Sequence, residues 1–362
     1  MTSGGPQFDS PVRVLITGGA GFLGRALVRE LTAPRGEPVL RAAHIRLFDR
    51  AVPDHGSDEV EFVRGDIRDG AALERACQDT DVVFHTAALV SWGQHPDTLV
   101  HEVNVGGTRR VIEACGRAGV AALVHTSTLD VVYDGRPVRE GDERLPYPRR
   151  YYNAYAETKA LSEQAALAVD GSRHADGAGR LRSCALRPCG MWGERDPFHI
   201  SNLLQMARAG KLLFRMGNGR ARFQHVYVGN VAHAHLLAAR SLLAAGAACG
   251  QVYLITDFPP SNFFSYYAPI LEALGHPLPP AWRSLPYPLM LGVAGALEGV
   301  QWLSRPFFRF APTVNRFAVK QVCQEFTFSG AKAGRDLDYR PVYPEAEAIE
   351  RTIDDFRRCG PV

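Results

Sequence analysis

Residues 12–31, VRVLITGGAGFLGRALVREL, decide the fold class of this chain. An apolar, β-branched run leads directly into a glycine-rich turn, and residues with the helical spacing of apolar positions follow. Gly18, Gly21 and Gly24 give the spacing G-x-x-G-x-x-G, which is close to the G-x-G-x-x-G pattern of dinucleotide-binding turns. Glycines there allow a tight turn, close approach of a pyrophosphate to backbone N–H groups and close packing of helix on strand. The stretch therefore predicts a strand, a phosphate-binding turn and a helix.

The same alternation of strand and helix patterns continues through the first half of the chain. Short apolar runs typical of strands buried on both faces lie at 44–49, 60–66, 81–88, 122–128 and 182–188, with helical patterns between them. Strands that alternate with helices predict right-handed βαβ units. We therefore expect an α/β fold, with a doubly wound parallel sheet of Rossmann type and a smaller C-terminal substrate lobe.

The second half of the chain has a less regular pattern, which is typical of a substrate-binding region. We expect an NAD-binding Rossmann domain at 1–187 and a mainly substrate-binding lobe at 188–362. Within this lobe, a strand and helix pattern at 223–256 is expected to return to the Rossmann domain. Residues 258–288 are rich in proline and indicate loops.

Composition excludes several classes of protein. The chain has 362 residues, 46% of them hydrophobic, and a formal net charge of +3, which predicts a globular protein without nucleic-acid partners. Its seven cysteines show no C-x-x-C spacing, so we expect neither a disulfide framework nor a metal site. The first ten residues are polar and do not resemble a signal peptide. These features predict a cytoplasmic protein that is not secreted.

Residues 285–310 are rich in large apolar side chains but are interrupted by Glu298. The segment is consistent with a buried helix followed by a loop. It is also consistent with a peripheral membrane contact or with an apolar wall of the substrate pocket. The sequence leaves these alternatives open.

Asp49 ends the second predicted strand and indicates the cofactor. A carboxylate at this position accepts hydrogen bonds from the adenosine ribose hydroxyls and repels a 2′-phosphate, so it favours NAD over NADP. Arg50 follows directly and would favour NADP instead, since an arginine can pair with a 2′-phosphate. Asp66 and Ile67 end the third strand where adenine is expected, although for Ile67 a place in the core is almost as good an explanation.

The stretch RRYYNAYAETKAL, residues 149–161, contains a candidate catalytic pair. Of its three tyrosines only Tyr155 is followed four residues later by a lysine, Lys159, and residues four apart share one face of a helix. A nearby cation favours the phenolate form of a tyrosine, which makes it a better base. Thr128, or with less support Ser127, ends a central strand and supplies a hydroxyl for the substrate oxygen.

Taken in order, TGGAGFLG, Asp49, HTAA, NVGGT, TST and the Tyr155/Lys159 pair resemble the extended short-chain dehydrogenase/reductases. The segments TSTLDVVYDG, CALRPCGMWGERDP, VYVGNVAHAHLLAAR and FTFSGAKAGRDLDYRP are similar to the 3β-hydroxysteroid dehydrogenase branch, including its sterol-4-carboxylate 3-dehydrogenase relatives. The resemblance implies an NAD-dependent oxidoreductase that oxidises the 3β-hydroxyl of a steroid or sterol-like substrate to a ketone. It also implies a homodimer that forms through the helices near 105–118 and 155–168.

Carried onto this chain, the resemblance makes Tyr155 the general base, Lys159 its activator and ribose anchor, and Thr128 the donor to the substrate oxygen. His85 is expected to pack beneath the cofactor rather than react. Isomerase activity is not expected, because Asp257 is followed by Phe258 where isomerising members tend to carry a second acid. The expected cofactor contacts are Gly18, Gly21, Phe22, Leu23, Gly24, Asp49, Asp66, Ile67, Thr86, Ala87, Ala88, Asn104, Tyr155, Lys159 and Pro188.

Three other functions are compatible with the same motifs. A nucleotide-sugar epimerase or dehydratase shares the catalytic residues, but its substrate needs more polar contacts than the aromatic second half of the chain offers. A reductase of long-chain β-keto acids would also bind an apolar substrate. A non-catalytic NAD(H)-sensing scaffold would not need the Tyr155/Lys159 pair.

Overall fold

The first strand lies inside the main sheet, as its apolar sequence requires. The computed structural model describes residues 10–54, 60–304, 312 and 314–361. Its strands are β1 (Val12–Thr17), β2 (Ala42–Asp49), β3 (Val60–Arg64), β4 (Val82–His85), β5 (Ala122–Thr126), β6 (Val138–Gly141), β7 (Ser172–Arg173), β8 (Arg180–Pro188), β9 (Gly190–Trp192), β10 (Arg215–Met216), β11 (His225–Tyr227), β12 (Val252–Ile255), β13 (Ser284–Leu285) and β14 (Phe326–Phe328).

The α-helices alternate with these strands in the first half of the chain and dominate the second. They are α1 (Phe22–Thr32), α2 (Gly70–Cys77), α3 (Asp97–His101), α4 (Gly107–Ala118), α5 (Ala154–Ala168), α6 (Ile200–Arg208), α7 (Val228–Leu243), α8 (Phe263–Ala273), α9 (Tyr287–Ser304), α10 (Arg316–Cys323), α11 (Ala331–Leu337) and α12 (Glu345–Cys359). A π-helical turn (Glu102–Gly106) precedes α4, and short 3₁₀ turns occupy Leu129–Val132 and Ala281–Arg283.

The main sheet has the order β12-β8-β5-β4-β1-β2-β3, and every pairing along this path is parallel. Helices cover both faces: α1 packs against α7 on one side, and α2 packs against α4 on the other. The side chains of β1 alternate between these layers, because Val14 and Ile16 join the first hydrophobic core and Leu15 joins the second. The predicted doubly wound parallel sheet is confirmed.

Neighbouring strand ends bring the predicted site residues together. The carboxyl ends of β1, β2, β4 and β5 lie side by side at one edge of the sheet, where open α/β sheets bind ligands. The segment at 223–256 contributes to this sheet, since β12 pairs with β8 and α7 packs against β5 and β8. The remaining lobe adds small sheets, in which β9 pairs with β11 and β6 with β14.

The expectation of loops throughout 258–288 is wrong. Helix α8 occupies Phe263–Ala273 and contains Pro269. The Asn262 side chain caps it by accepting a hydrogen bond from the Ser265 N–H. Tyr267 and Leu271, one helical turn apart, are fully buried, so packing outweighs the cost of the proline.

Residues 287–304 form helix α9, which is only partly buried. Met290 and Ala294 pack with Val319 of α10, whereas Trp302 and Leu303 are exposed. The structure thus favours a surface segment over a fully buried helix. Residues 305–310 of the predicted 285–310 segment lie outside the described residues. Within the described ranges no helix has the length and apolar character needed to cross a bilayer.

Candidate active site

The glycine turn between β1 and α1 is held by close backbone contacts. Gly18 has φ +75°, and a Cβ there would lie 2.7 Å from the Ala87 nitrogen. A Cβ on Gly24 would lie 2.5 Å from the carbonyl oxygens of both Gly18 and Gly19. A larger residue at either position would push the turn away from β4 or α1 away from the turn.

A cleft of about 580 Å³ opens above this turn and crosses the carboxyl ends of the strands. All the predicted cofactor residues line it except Gly24, Asn104 and Pro188. Sequence analysis missed several apolar residues of its wall, namely Phe48, Leu89, Val90, Leu99, Val103 and Phe198. The cleft therefore combines the predicted phosphate-binding turn with an extended apolar surface.

The three exceptions have other places in the site. Gly24 allows α1 to pack closely on the turn. The Asn104 side chain donates to the Leu89 carbonyl oxygen at 3.1 Å and accepts from the Leu89 N–H at 2.7 Å, so it supports the cleft wall from behind. Pro188 lines a neighbouring pocket.

Asp49 is already oriented by the backbone. Its Oδ2 accepts from the Ala20 N–H at 3.1 Å, and its Oδ1 accepts from the Ala51 N–H at 3.0 Å. Arg50 is mostly exposed, with its Nε 3.6 Å from Asp66 Oδ2. A hydrogen bond from Arg68, whose Nη2 lies 2.7 Å from the carboxylate, lowers the pKa of Asp66. Both arginines near the predicted adenosine end thus face Asp66.

Helix α5 positions the candidate catalytic pair. It begins after Asn153, whose side chain accepts from the Ala156 N–H at 2.8 Å. Tyr155 and Lys159 follow one turn apart, and both are buried at the base of the cleft. One turn further, Glu163 forms a buried bidentate ion pair with Arg187 of β8, which fixes the helix against the sheet.

Lys159 is held from below by the end of β5. Its Nζ donates to the Thr126 carbonyl oxygen at 2.5 Å and lies 3.5 Å from His125 Nε2. Burial lowers the pKa of Lys159 to about 8, against the opposing charge of Glu163. Sequence analysis missed the contact between Lys159 and His125. The other ring nitrogen of His125, Nδ1, is buried without a partner among the described residues.

Burial raises the pKa of the Tyr155 phenol, and the charge of Asp130 raises it further. A hydrogen bond with Thr128 acts in the opposite direction. Burial is thus the largest cause of the Tyr155 pKa shift, and Lys159, the cation expected to favour the phenolate, is not among its causes.

Both candidate hydroxyls lie beside Tyr155. Thr128 caps the 3₁₀ turn after β5, and its Oγ1 accepts from the Asp130 N–H at 3.3 Å. Ser127 lines both the cleft and the neighbouring pocket, and its buried Oγ has no partner among the described residues. Thr128 contacts the phenol, whereas Ser127 offers an unused donor, so both fit the predicted role.

A second pocket of about 120 Å³ meets the cleft at Tyr155. It is mostly apolar, with walls from the β4–α3 and β8–β9 connections, α10 and the loop before β11. Sequence analysis missed three of its polar members, Asp130, His199 and Gln321. The lining residues are Val90, Trp92, Ser127, Thr128, Leu129, Asp130, Tyr155, Pro188, Cys189, Gly190, Met191, Phe198, His199, Phe223, Phe317 and Gln321.

The other acids and histidines singled out in the sequence have structural partners. His85 is buried, with Nδ1 2.7 Å from Thr17 Oγ1 and Nε2 2.9 Å from Thr108 Oγ1, and burial lowers its pKa to about 3. Asp257 accepts from the N–H groups of Tyr227 and Phe258 and does not line the pocket. Within the described residues, no three His, Cys, Asp or Glu side chains are grouped to hold a metal.

The fold, the glycine turn, Asp49 and the Tyr155/Lys159 pair define an extended short-chain dehydrogenase/reductase, an oxidoreductase class. The model of the 3-beta hydroxysteroid dehydrogenase/isomerase family matches residues 15–287. The chain belongs to this family, which acts on CH–OH groups. The predicted resemblance is confirmed.

Three known proteins illustrate the relationship. A 3 beta-hydroxysteroid dehydrogenase/Delta 5-->4-isomerase of Mycobacterium tuberculosis is 37% identical over 350 residues, which cover 94% of this chain and 89% of that protein. A 3beta-hydroxysteroid-dehydrogenase/decarboxylase of Arabidopsis thaliana is 34% identical over 361 residues, covering 94% and 79%. The structure of Thermus thermophilus UDP-glucose 4-epimerase in complex with NAD superposes with a TM-score of 0.69 at 25% identity, covering 96% and 99%.

Proposed function

We propose that this protein oxidises the 3β-hydroxyl group of a steroid or sterol-like alcohol to a ketone, with NAD as the hydride acceptor. One observation carries the proposal: Tyr155 lies where a dinucleotide cleft meets a mostly apolar pocket, with Thr128 and Ser127 beside it. The phenol can thus face the reactive end of a cofactor and a substrate alcohol together.

The residues present fit NAD. The turn at Gly18 and Gly21 leaves room for a pyrophosphate beside backbone N–H groups, and Asp49 keeps acceptor capacity for ribose hydroxyls. Its charge disfavours a 2′-phosphate, and the mostly exposed Arg50 lies 3.6 Å from Asp66. Bound NAD would supply the hydride acceptor. Structures of relatives in complex with NAD support the same assignment.

The side chains divide the remaining chemistry. Tyr155 removes the alcohol proton while Thr128, or Ser127, donates to the substrate oxygen and fixes its position. Lys159 supplies a buried ammonium one turn below the phenol and anchors the ribose. Because burial raises the pKa of Tyr155, the positive charges of Lys159 and of a bound nicotinamide are needed to favour the phenolate.

The character of the pocket supports a steroid over the alternatives. A sugar nucleotide needs many polar contacts, whereas Phe198, Phe223 and Phe317 dominate this pocket. At about 120 Å³ it accommodates the reacting end of a large substrate rather than the whole molecule. A non-catalytic scaffold would not require a hydroxyl, a phenol and a lysine to converge at one point.

Initial rates of NAD reduction test the proposal. We expect turnover of a 3β-hydroxysteroid, and slower or no turnover of a UDP-sugar and, in the reverse direction with NADH, of an alkyl β-keto acid. Each substrate is assayed with both NAD(H) and NADP(H). Preference for the UDP-sugar, or for NADP, would contradict the corresponding part of the assignment.

We also propose that α9 contacts a lipid surface. Trp302 and Leu303 of α9 are exposed at 67% and 66%, and Trp282, just before β13, is exposed at 77%. The guanidinium carbon of Arg283 lies 4.8 Å from the centre of the Trp282 ring. Exposed tryptophan next to a cation is typical of the lipid–water interface, and α9 packs on α10, which lines the pocket.

Sedimentation with vesicles containing phosphatidylserine tests this contact. The double variant Trp282→Ser/Trp302→Ser is expected to lose most of the bound fraction. Val52→Ser, at an exposed apolar residue of the β2–β3 connection, serves as the matched control and is expected to bind like the unchanged chain. Equal binding by all three proteins would contradict the lipid contact.

A further inference from the structure

The pocket beside Tyr155 contains a buried acid that the proposed reaction does not use. Asp130 follows Thr128 in the 3₁₀ turn, is only 8% exposed and lines the pocket. Its Oδ1 accepts from the Gln321 side-chain amide at 2.9 Å, and its backbone N–H donates to Thr128 Oγ1 at 3.3 Å. These contacts hold the carboxylate close to the hydroxyl that is expected to hold the substrate oxygen.

We infer that this pocket selects secondary alcohols that carry no carboxylate on the carbon next to the reacting carbon, and so rejects β-hydroxy acids as a class. The inference rests on the proposed function, since it concerns the substrate that reaches Tyr155. A carboxylate one carbon from the reacting centre would lie in the same small pocket as Asp130. Two like charges in a site that excludes water repel each other strongly.

No cation in the described part of the pocket wall offsets this repulsion. The lining contains neither lysine nor arginine. Lys320, next to Gln321 on α10, donates to the Gly135 carbonyl oxygen at 3.2 Å and lies 5.3 Å from the Tyr152 ring centre, so it is directed elsewhere. Lys159 lies outside the described lining of this pocket, and its Nζ donates to the Thr126 carbonyl oxygen below the cleft.

Among the described residues that line the pocket, His199 is the one imidazole. Its Nδ1 lies 3.0 Å from the Met191 carbonyl oxygen and 3.9 Å from a carboxylate oxygen of the buried Asp196. A positive charge on this ring would therefore be compensated by Asp196 rather than offered to a substrate. The pocket thus lacks the paired cation that binding a buried carboxylate requires.

The titratable groups that face Asp130 do not compensate its charge either. Burial raises the pKa of Tyr155 from α5, Tyr133 after the 3₁₀ turn and Cys189 after β8, and the charge of Asp130 is a smaller cause in each case. None of these three side chains can carry a positive charge, and Gln321 of α10 is uncharged. Burial raises the pKa of Asp130 itself to about 7, so its charge is lost as the pH falls through that value.

A pocket that rejects carboxylates would favour one of two reaction types found among the relatives. Loss of CO₂ after oxidation requires a carboxylate on the carbon next to the new ketone, and one relative is named a dehydrogenase/decarboxylase. We assign this chain to alcohol oxidation without decarboxylation, in which the hydride leaves to NAD and the proton to Tyr155. The same argument disfavours β-keto acid reduction, because those substrates also place a carboxylate beside the reacting carbon.

The test compares a 3β-hydroxysteroid 4-carboxylate with its methyl ester, which keeps the bulk and removes the charge. At about pH 8.5, above the Asp130 pKa of about 7, we expect the ester to have a kcat/KM at least about tenfold higher than the acid. At about pH 6 the ratio should shrink, because Asp130 takes up a proton. In Asp130→Asn the ratio should fall to near one at both pH values.

A second variant, on the opposite wall of the pocket, tests the repulsion between Asp130 and a substrate carboxylate. Gln321→Lys places a cation on α10 beside Asp130 and should raise turnover of the acid without the same gain for the ester. It also keeps the inference testable if Asp130→Asn does not fold.

Equal turnover of acid and ester by the unchanged enzyme at about pH 8.5 would overturn the inference while leaving steroid oxidation intact. An ester-to-acid ratio that neither variant changes would overturn it as well. Failure to oxidise any neutral 3β-hydroxysteroid would instead remove the proposed function, and the inference with it.

Discussion

Replacing Asp49 with alanine should change the cofactor preference of the enzyme. A carboxylate has about four acceptor positions. The N–H groups of Ala20 and Ala51 occupy two of them, which leaves two for the two hydroxyls of the adenosine ribose. The substitution therefore removes two charge-assisted hydrogen bonds to NAD and leaves the Ala20 N–H without its acceptor.

The size of the effect follows from these contacts. Asp49 is half-buried, so we take the lower end of the usual range, about 1.5 kcal/mol for each charged hydrogen bond. A loss of about 3 kcal/mol corresponds to a rise of about 100-fold in the Kd for NAD. NADP should bind no more weakly and should gain about 1 kcal/mol, because the repulsion between Asp49 and the 2′-phosphate disappears.

Titration calorimetry with NAD and NADP measures both constants, and thermal unfolding checks that the variant is folded. Arg50→Ala is the matched control, because Arg50 is 73% exposed on its side chain and lies close to Asp66 rather than to Asp49. It should leave the NAD affinity within about twofold. An unchanged NAD-to-NADP ratio in Asp49→Ala would refute the assignment of Asp49 to the ribose.

The remaining predictions concern catalysis, ionisation, stability and assembly. Tyr155→Phe should lower kcat by at least about 1,000-fold while the NAD Kd, measured by calorimetry, changes little, since only the proton-transfer group is lost; near-normal turnover would contradict its role. Because the pKa of Lys159 is lowered to about 8, its ammonium is lost as the pH rises through that value, so NAD affinity should fall between about pH 7 and 9.5; a Lys159→Met variant should lack this dependence. Glu163→Gln leaves the buried Arg187 without its charge partner and should lower the unfolding free energy by about 3–5 kcal/mol in urea titrations. Arg117→Gln, which removes an exposed pairing with Glu74, should cost less than about 1 kcal/mol. Light scattering should give twice the chain mass if the homodimer predicted through 105–118 and 155–168 forms, and the chain mass if it does not.

The parts of the site that could be predicted from sequence are those encoded within one short segment. Gly18 and Gly21 follow their strand directly, and Tyr155 and Lys159 lie on one turn of one helix. In each case spacing alone determines which side chains share a surface. The order of strands and helices predicted the sheet for the same reason, since βαβ connections have few alternatives.

The parts that could not be predicted depend on packing between distant segments. Asp130 and Gln321 form a hydrogen bond across 191 residues of sequence, and neither belongs to a spacing motif. The contact between Lys159 and His125 likewise depends on how α5 docks onto β5. The effect of burial on the Tyr155 pKa could not be predicted from sequence, because desolvation depends on how deeply the folded chain buries the phenol.

Helix α8 shows the limit of local signals. Pro269 argued against a helix, but the buried faces of Tyr267 and Leu271 stabilise it in tertiary packing. The four-residue spacing of these two apolar side chains did indicate a helix. This spacing outweighs the proline only because a hydrophobic core covers the face of α8 that carries Tyr267 and Leu271, and the sequence does not show that core.

The pairing of β14 with β6 has a consequence for how the chain folds. Glu140 donates its backbone N–H to Thr327 Oγ1 across 187 residues, and α10 closes the pocket just before β14. Such distant contacts form slowly, because a long stretch of chain must be ordered before they are made. During synthesis the nucleotide-binding sheet is thus expected to be largely assembled before the residues that complete the substrate pocket leave the ribosome. A nascent chain would then bind dinucleotide earlier than it could bind the proposed alcohol substrate.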